Sequence, residues 1–144
     1  NNMSELENAI IFESKRSRKR EEEISDDIYF SVFKNKKGYL TLKIQIGFNI
    51  ARKAKINEKT KLKFGCDRED KTIWYLIAGD EGYAISKARN GASYVSSIRW
   101  PFEFINKKNI KIEKNNIEIN SDKRIITLFV FDYIDKSELI LRDQ

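Results

Sequence analysis

The chain has 144 residues, 40% of them hydrophobic, with nine Phe, six Tyr and a formal net charge of +6. That is enough apolar material for one domain with its own core, and too many aromatics for a chain that stays disordered. Histidine is absent, which excludes His-based triads and His-ligated zinc or iron sites, and the single cysteine, Cys66, excludes an internal disulfide and fits a reducing, cytoplasmic setting.

Residues 1–27 read as a charged N-terminal tail or a short helix. The run "SKRSRKREEEISDD" sets a basic block against an acidic one with little apolar between them. This segment holds five basic and eight acidic side chains, so the rest of the chain carries an excess of nine positives. A basic folded region points to a polyanionic partner, with nucleic acid first among them. No apolar run reaches the roughly 20 residues that span a bilayer, and the opening residues lack the basic-then-apolar order of a signal peptide. No membrane partner is expected.

From residue 28 to residue 137 the pattern is that of a β-rich core. "DIYFSVFKNKKGYLTLKIQI" alternates on either side of Asn35-Lys36-Lys37-Gly38, which predicts strand, turn, strand. "GFNIARKAKI" then spaces its apolar residues as a short helix of about two turns. "NEKTKLKFGCD" alternates again, "TIWYLIAG" predicts a buried strand, and "DEG" a hairpin tip before "YAISKA". "YVSSIRW" predicts a strand and "PFEFINKKN" a second short helix. "IKIEKNNIEI" makes one strand or two, "NSDKR" a turn, and "IITLFVFDYI" the most apolar strand. Residues 138–144 form a C-terminal tail.

The second half repeats the first. At an offset of 54, Ile44, Phe48, Lys53 and Ile56 fall on Ile98, Phe102, Lys107 and Ile110. With small length changes Phe64 and Asp67 fall on Ile119 and Asp122, and Leu76 falls on Leu128. The shared order is strand, short helix, strand, turn, buried strand, over about 36–78 and 91–130. A unit this small cannot bury its own apolar face. Two such units are expected to clasp around a pseudo-twofold axis, giving a mainly β (β-rich α+β) fold.

The repeated unit resembles the AbrB/MazE/MraZ-type swapped-hairpin regulators. "IQIGFNIARKAKINEKTKLKF" matches their pattern in length, with Gly47 where a proline is usual and Lys55 where a glycine is usual. "WPFEFINKKNIKIEKNNIEI" keeps Pro101 and Glu103 and sets Asn109 at the break. Small phage and prophage proteins have a similar arrangement. The resemblance implies an AbrB-like barrel of two interlocked units, a pseudo-dimeric monomer or a homodimer. It also implies DNA contacts from Lys36 in the turn, Lys43 on the strand and Arg52 on the helix, with Ser97 and Asn106 at the last two positions of the second copy.

Independently of the resemblance, Lys34, Lys36 and Lys37 crowd one turn and Arg52, Lys53 and Lys55 one short helix, with Arg99 and Lys107 placed to extend the surface. Each lysine alone serves equally as a solvated strand edge that blocks aggregation; the cluster is what points to nucleic acid, with duplex DNA the expected form. Trp74, inside an apolar strand, belongs to the core, whereas Trp100 fits either the core or an exposed stacking platform. The carboxylates Glu69, Asp70, Asp80 and Glu81 sit in turns that solvate them. With no Gly-rich phosphate loop and no histidine to activate Cys66, neither enzymatic activity nor a cofactor nor a metal site is expected. The expected role is a non-enzymatic, DNA-binding transcriptional regulator of phage or bacterial type. The alternatives are a small phage or mobile-element inhibitor of a host protein, and an antitoxin-like protein.

Overall fold

The computed structural model describes residues 26–89 and 91–142, and of Asn106 and Lys107 the backbone alone. Most of the charged N-terminal tail therefore lies outside the described residues. The chain is mainly β. Among the described residues, ten strands form two five-stranded antiparallel sheets, and the longest helix has six residues. The strands are β1 (Ile28–Lys34), β2 (Leu40–Gly47), β3 (Lys61–Cys66), β4 (Ile73–Gly79), β5 (Tyr83–Ala84), β6 (Ser86–Lys87), β7 (Ser93–Arg99), β8 (Asn106–Ile112), β9 (Ile117–Asn120) and β10 (Ile125–Phe129). The helix α1 is Phe48–Lys53. Sheet A runs β6-β7-β2-β1-β8 and sheet B runs β5-β3-β4-β10-β9.

Alternation dictates which side chains meet between the sheets. On β2, Leu40, Leu42, Ile44 and Ile46 are buried while Lys43 is exposed between them. Facing them from sheet B are Leu62, Trp74, Leu76, Ile126 and Leu128, all fully buried in the same core. The edge strands lead from one sheet into the other. Ile85, itself buried, lies between β5 and β6, and a one-turn 3-10 helix at Lys114–Asn116 joins β8 to β9.

The strand registers follow the sequence offset. In sheet A the central pair β2–β7 sets Lys43 opposite Ser97, the two residues that an offset of 54 equates. In sheet B the central pair β4–β10 sets Tyr75 opposite Thr127, equated by the offset of 52 that puts Leu76 on Leu128. An antiparallel pair in which a residue faces its own counterpart has a local twofold between the two. Each sheet therefore has such a point beside its central strand, with β1–β2 mirrored by β6–β7 and β3–β4 by β9–β10, while the edge strands β8 and β5 have no counterpart in their sheets.

The expected second helix, "PFEFINKKN", does not form. Phe102 pairs with Leu141 as an isolated bridge, Glu103 N–H donates to Ile140 O, and Arg142 N–H donates to Pro101 O. From Asn106 onward the chain is strand β8. Two facts defeat the helix. The backbone groups at Pro101 and Glu103 are taken by residues 140–142, and Phe102 is buried and Phe104 partly buried while Glu103 and Ile105 are exposed, a two-residue period. Asn109, expected at a helix break, lies inside β8. Beyond Phe30↔Ile110 the β8 register slips, to Val32↔Asn106, so this edge strand carries an irregularity at its lysines, a feature that discourages pairing with another chain.

In the first copy the helix does form, and a distant turn closes its C-terminus. Ser121 Oγ donates to Lys53 O at 2.6 Å, and Arg124 Nη2 donates to Lys55 O at 2.9 Å. The first bond satisfies a carbonyl that the helix end leaves without a partner, and the second holds the turn that follows it. Lys55, where the resemblance expects glycine, takes φ 58°. A left-handed backbone costs an L residue about 1 kcal/mol or more. Lys55→Gly is expected to raise stability by about 0.5 kcal/mol after the entropy of glycine is subtracted, read from urea denaturation.

Candidate nucleic-acid interface

The outer face of sheet A is set by the same alternation that builds the core. Its outward positions are Tyr29, Ser31 and Phe33 on β1, Thr41, Lys43 and Gln45 on β2, and Val95, Ser97 and Arg99 on β7. Across the sheet they form the rows Tyr29–Gln45–Val95, Ser31–Lys43–Ser97 and Phe33–Thr41–Arg99. None of the nine is acidic.

The expected site residues do not all come together. Lys34 ends β1, Lys36 and Lys37 are exposed in the β1–β2 turn, and Arg99 at the end of β7 pairs with Thr41 beside that turn. Lys43 lies in the middle of the face. Arg52 and Lys53 are exposed on α1, which begins where β2 ends. At roughly 3.3 Å per residue, the seven steps of β2 separate the helix from the turn by about 23 Å. The basic residues therefore divide into a turn-end group, a single central lysine and a helix group. Lys107 is in the irregular stretch of β8, with its side chain outside the described ones.

Lys43 has a serine counterpart for a physical reason. Because Lys43 and Ser97 face each other, a lysine in both copies would set like charges directly opposite on neighbouring strands, which is destabilising. One central cation, not two, is what this pairing accommodates. Among the described residues no carboxylate lies in salt-bridge range of Lys34, Lys36, Lys37, Lys43 or Arg99. By contrast Lys63, Lys87 and Lys111 pair with Glu81, Glu58 and Asp27, at 3.4, 2.6 and 3.7 Å.

At the turn end the face opens into a groove of about 500 Å³, lined by Phe33, Asn35, Tyr39, Thr41, Ser97 and Arg99. The Arg99 guanidinium lies 5.7 Å from the centre of the Tyr39 ring, within cation–π range. Asn35 Oδ1 accepts the N–H groups of Lys37 (3.0 Å) and Tyr39 (2.9 Å), and Asn35 N–H donates to Tyr39 O at 2.8 Å. The turn is thereby held by its own first residue. Sequence reading passed over Phe33, Asn35 and Tyr39. The alternation in "IYFSVFK" does place Phe33 on the outer face, but nothing local reveals that Arg99 arrives beside Tyr39.

Other chemistry-bearing groups lie elsewhere. Trp100, open to either reading, is fully buried, as is Trp74. Burial pushes the Cys66 thiol above its ordinary pKa, with Lys71 partly offsetting it, so less thiolate is present at neutral pH. Burial likewise raises the Asp27 carboxyl, against the pull of Lys111. Asp70 and Asp135 are held low by hydrogen bonds from Thr72 and Ser137; with Asp132 they border a second open groove beside Phe131 and Tyr133. Among the described residues no set of three or more Cys, Asp or Glu side chains is placed to hold a metal ion, and no helix is long and apolar enough to cross a membrane. No family model, curated protein or solved structure matches the chain.

Proposed function

We propose that the chain is a non-enzymatic, cytoplasmic nucleic-acid-binding protein, a transcriptional regulator of the AbrB/MazE/MraZ kind and of phage or bacterial type, which holds DNA against the outer face of sheet A. The observation that carries this reading is the charge on that face. Lys34, Lys36, Lys37, Lys43 and Arg99 border or occupy it, and its outward positions on β1, β2 and β7 hold no carboxylate. Cations so arranged contact phosphates and fix orientation, while base discrimination needs side chains that reach base edges. Asn35, Thr41, Gln45 and Ser97 are the polar groups placed among them to do so. The local twofold at Lys43 and Ser97 supports a single chain acting as a pseudo-dimer, with its two halves touching DNA unequally.

Fluorescence anisotropy against duplex DNA, duplex RNA and single strands over a salt series tests this. Three to four phosphate contacts would give a slope of log K on log salt of about −3. Lys43→Glu and Arg99→Glu are each expected to weaken binding about tenfold, while Arg52→Glu, at the far end of β2, changes it less than about twofold. A folded protein that binds no nucleic acid at low salt would sink the reading.

A further inference from the structure

Resting on the nucleic-acid part of that reading, and changing its ligand from duplex to unpaired strand, we infer that the groove at the turn end of sheet A is a base-stacking site whose preferred ligand is single-stranded nucleic acid, one of whose unpaired bases lies on Tyr39. Three observations converge on this. Tyr39 is 55% exposed with its ring presented at the surface, and Phe33, partly buried, lines the same groove. A tyrosine left this open has little to gain from solvent, and an aromatic face flanked by cations is the common device for holding unpaired bases. Arg99 already lies over the Tyr39 ring at 5.7 Å, so a planar cation and an aromatic plane are assembled before any ligand arrives. Lys34, Lys36 and Lys37 border the groove on the turn side, where the phosphates flanking a stacked base would lie.

The groove is also held ready. The Asn35 bonds to Lys37 and Tyr39, together with Gly38 at φ 88°, fix the backbone that carries the ring. Thr41, Ser97 and Asn35 offer hydroxyl and amide groups along the same groove. A duplex keeps its bases stacked on one another, whereas an unpaired base can turn out onto the ring.

The test uses the full chain with three labelled 12-nucleotide probes: thymidine single strand, the matched duplex, and an abasic strand of the same charge. The single strand should bind at least about tenfold tighter than the duplex or the abasic strand. Tyr39→Ala, a change at an exposed position, should lower single-strand affinity about tenfold, leave the salt slope unchanged and leave abasic binding as it was. Duplex and single strand bound alike, or Tyr39→Ala without effect on the single strand, would overturn the base site. If salt-steep binding that needs Lys43 persists in that case, the nucleic-acid reading survives without it. If neither form of nucleic acid binds, both fall together.

Discussion

Trp100→Ala is expected to remove about 3–5 kcal/mol of stability, out of the 5–15 kcal/mol typical of a domain of this kind. Trp100 sits at the centre of an aromatic cluster. Its ring centre is 5.2 Å from that of Trp74, 5.0 Å from Phe102 and 6.1 Å from Phe64, and Phe30 extends the cluster through Trp74 at 5.2 Å. The contacts with Trp74 and Phe102 are edge-to-face, the arrangement that the ring quadrupoles favour. The indole N–H donates to Phe104 O at 2.8 Å, so truncation also strands a carbonyl. Its backbone N–H donates to Leu40 O, which ties the end of β7 to the start of β2. Urea denaturation followed by far-UV circular dichroism reads the loss, with Trp100→Phe as the control. The phenylalanine keeps most of the ring contacts and loses the hydrogen bond, so it should cost about 1–2 kcal/mol. A cost below about 1 kcal/mol for the alanine would mean that the core does not rest on this cluster.

The alternation of apolar and polar residues made most of the strands legible from the sequence, because a strand half-buried in a two-sheet core has to alternate. It also made α1 legible, since "FNIARKA" puts Ile50, Ala51 and Ala54 inward at helical spacing. The same reasoning failed at "PFEFINKKN". There the analogy with the first copy argued for a helix, while Phe102 and Phe104 already showed the two-residue period of extended chain. What decided the matter was remote: residues 140–142 supply the partners that hold Pro101–Glu103 extended. The basic residues of the site were readable by type, yet their grouping was not. The resemblance joined Lys36, Lys43 and Arg52 in one set of DNA contacts, whereas a strand keeps its two ends apart in proportion to its length. The groove depends on Arg99 reaching Tyr39 across sixty residues of chain, and only the β2–β7 register brings the two together.

Gly82→Ala is the second large effect, and it arises in the exposed "DEG" loop, where a surface substitution would ordinarily be tolerated. That loop is not the expected hairpin tip but a crossing of β3, because β4 and β5 pair with opposite edges of that strand. Gly82 has φ 127°, a conformation that side chains with a Cβ rarely adopt. A Cβ built there would lie 2.2 Å from Leu62 O and 2.6 Å from Leu62 C. Those atoms belong to the backbone of β3, which is paired on both sides, to β4 and β5, and has no room to yield. The loop must therefore lift off β3, breaking the pairing of Tyr83 with Leu62 and drawing buried Ile85 away from the core. The expected loss is about 2–4 kcal/mol, the sum of backbone strain and the displaced contacts. Gly38→Ala separates the two parts. At φ 88° that glycine is strained by any side chain, but its Cβ would meet nothing within 4 Å. It should cost only about 1 kcal/mol. The difference between the two variants in urea denaturation measures the collision with β3. Equal losses would show that dihedral strain alone accounts for Gly82, and that the crossing loop moves away from β3 at little cost.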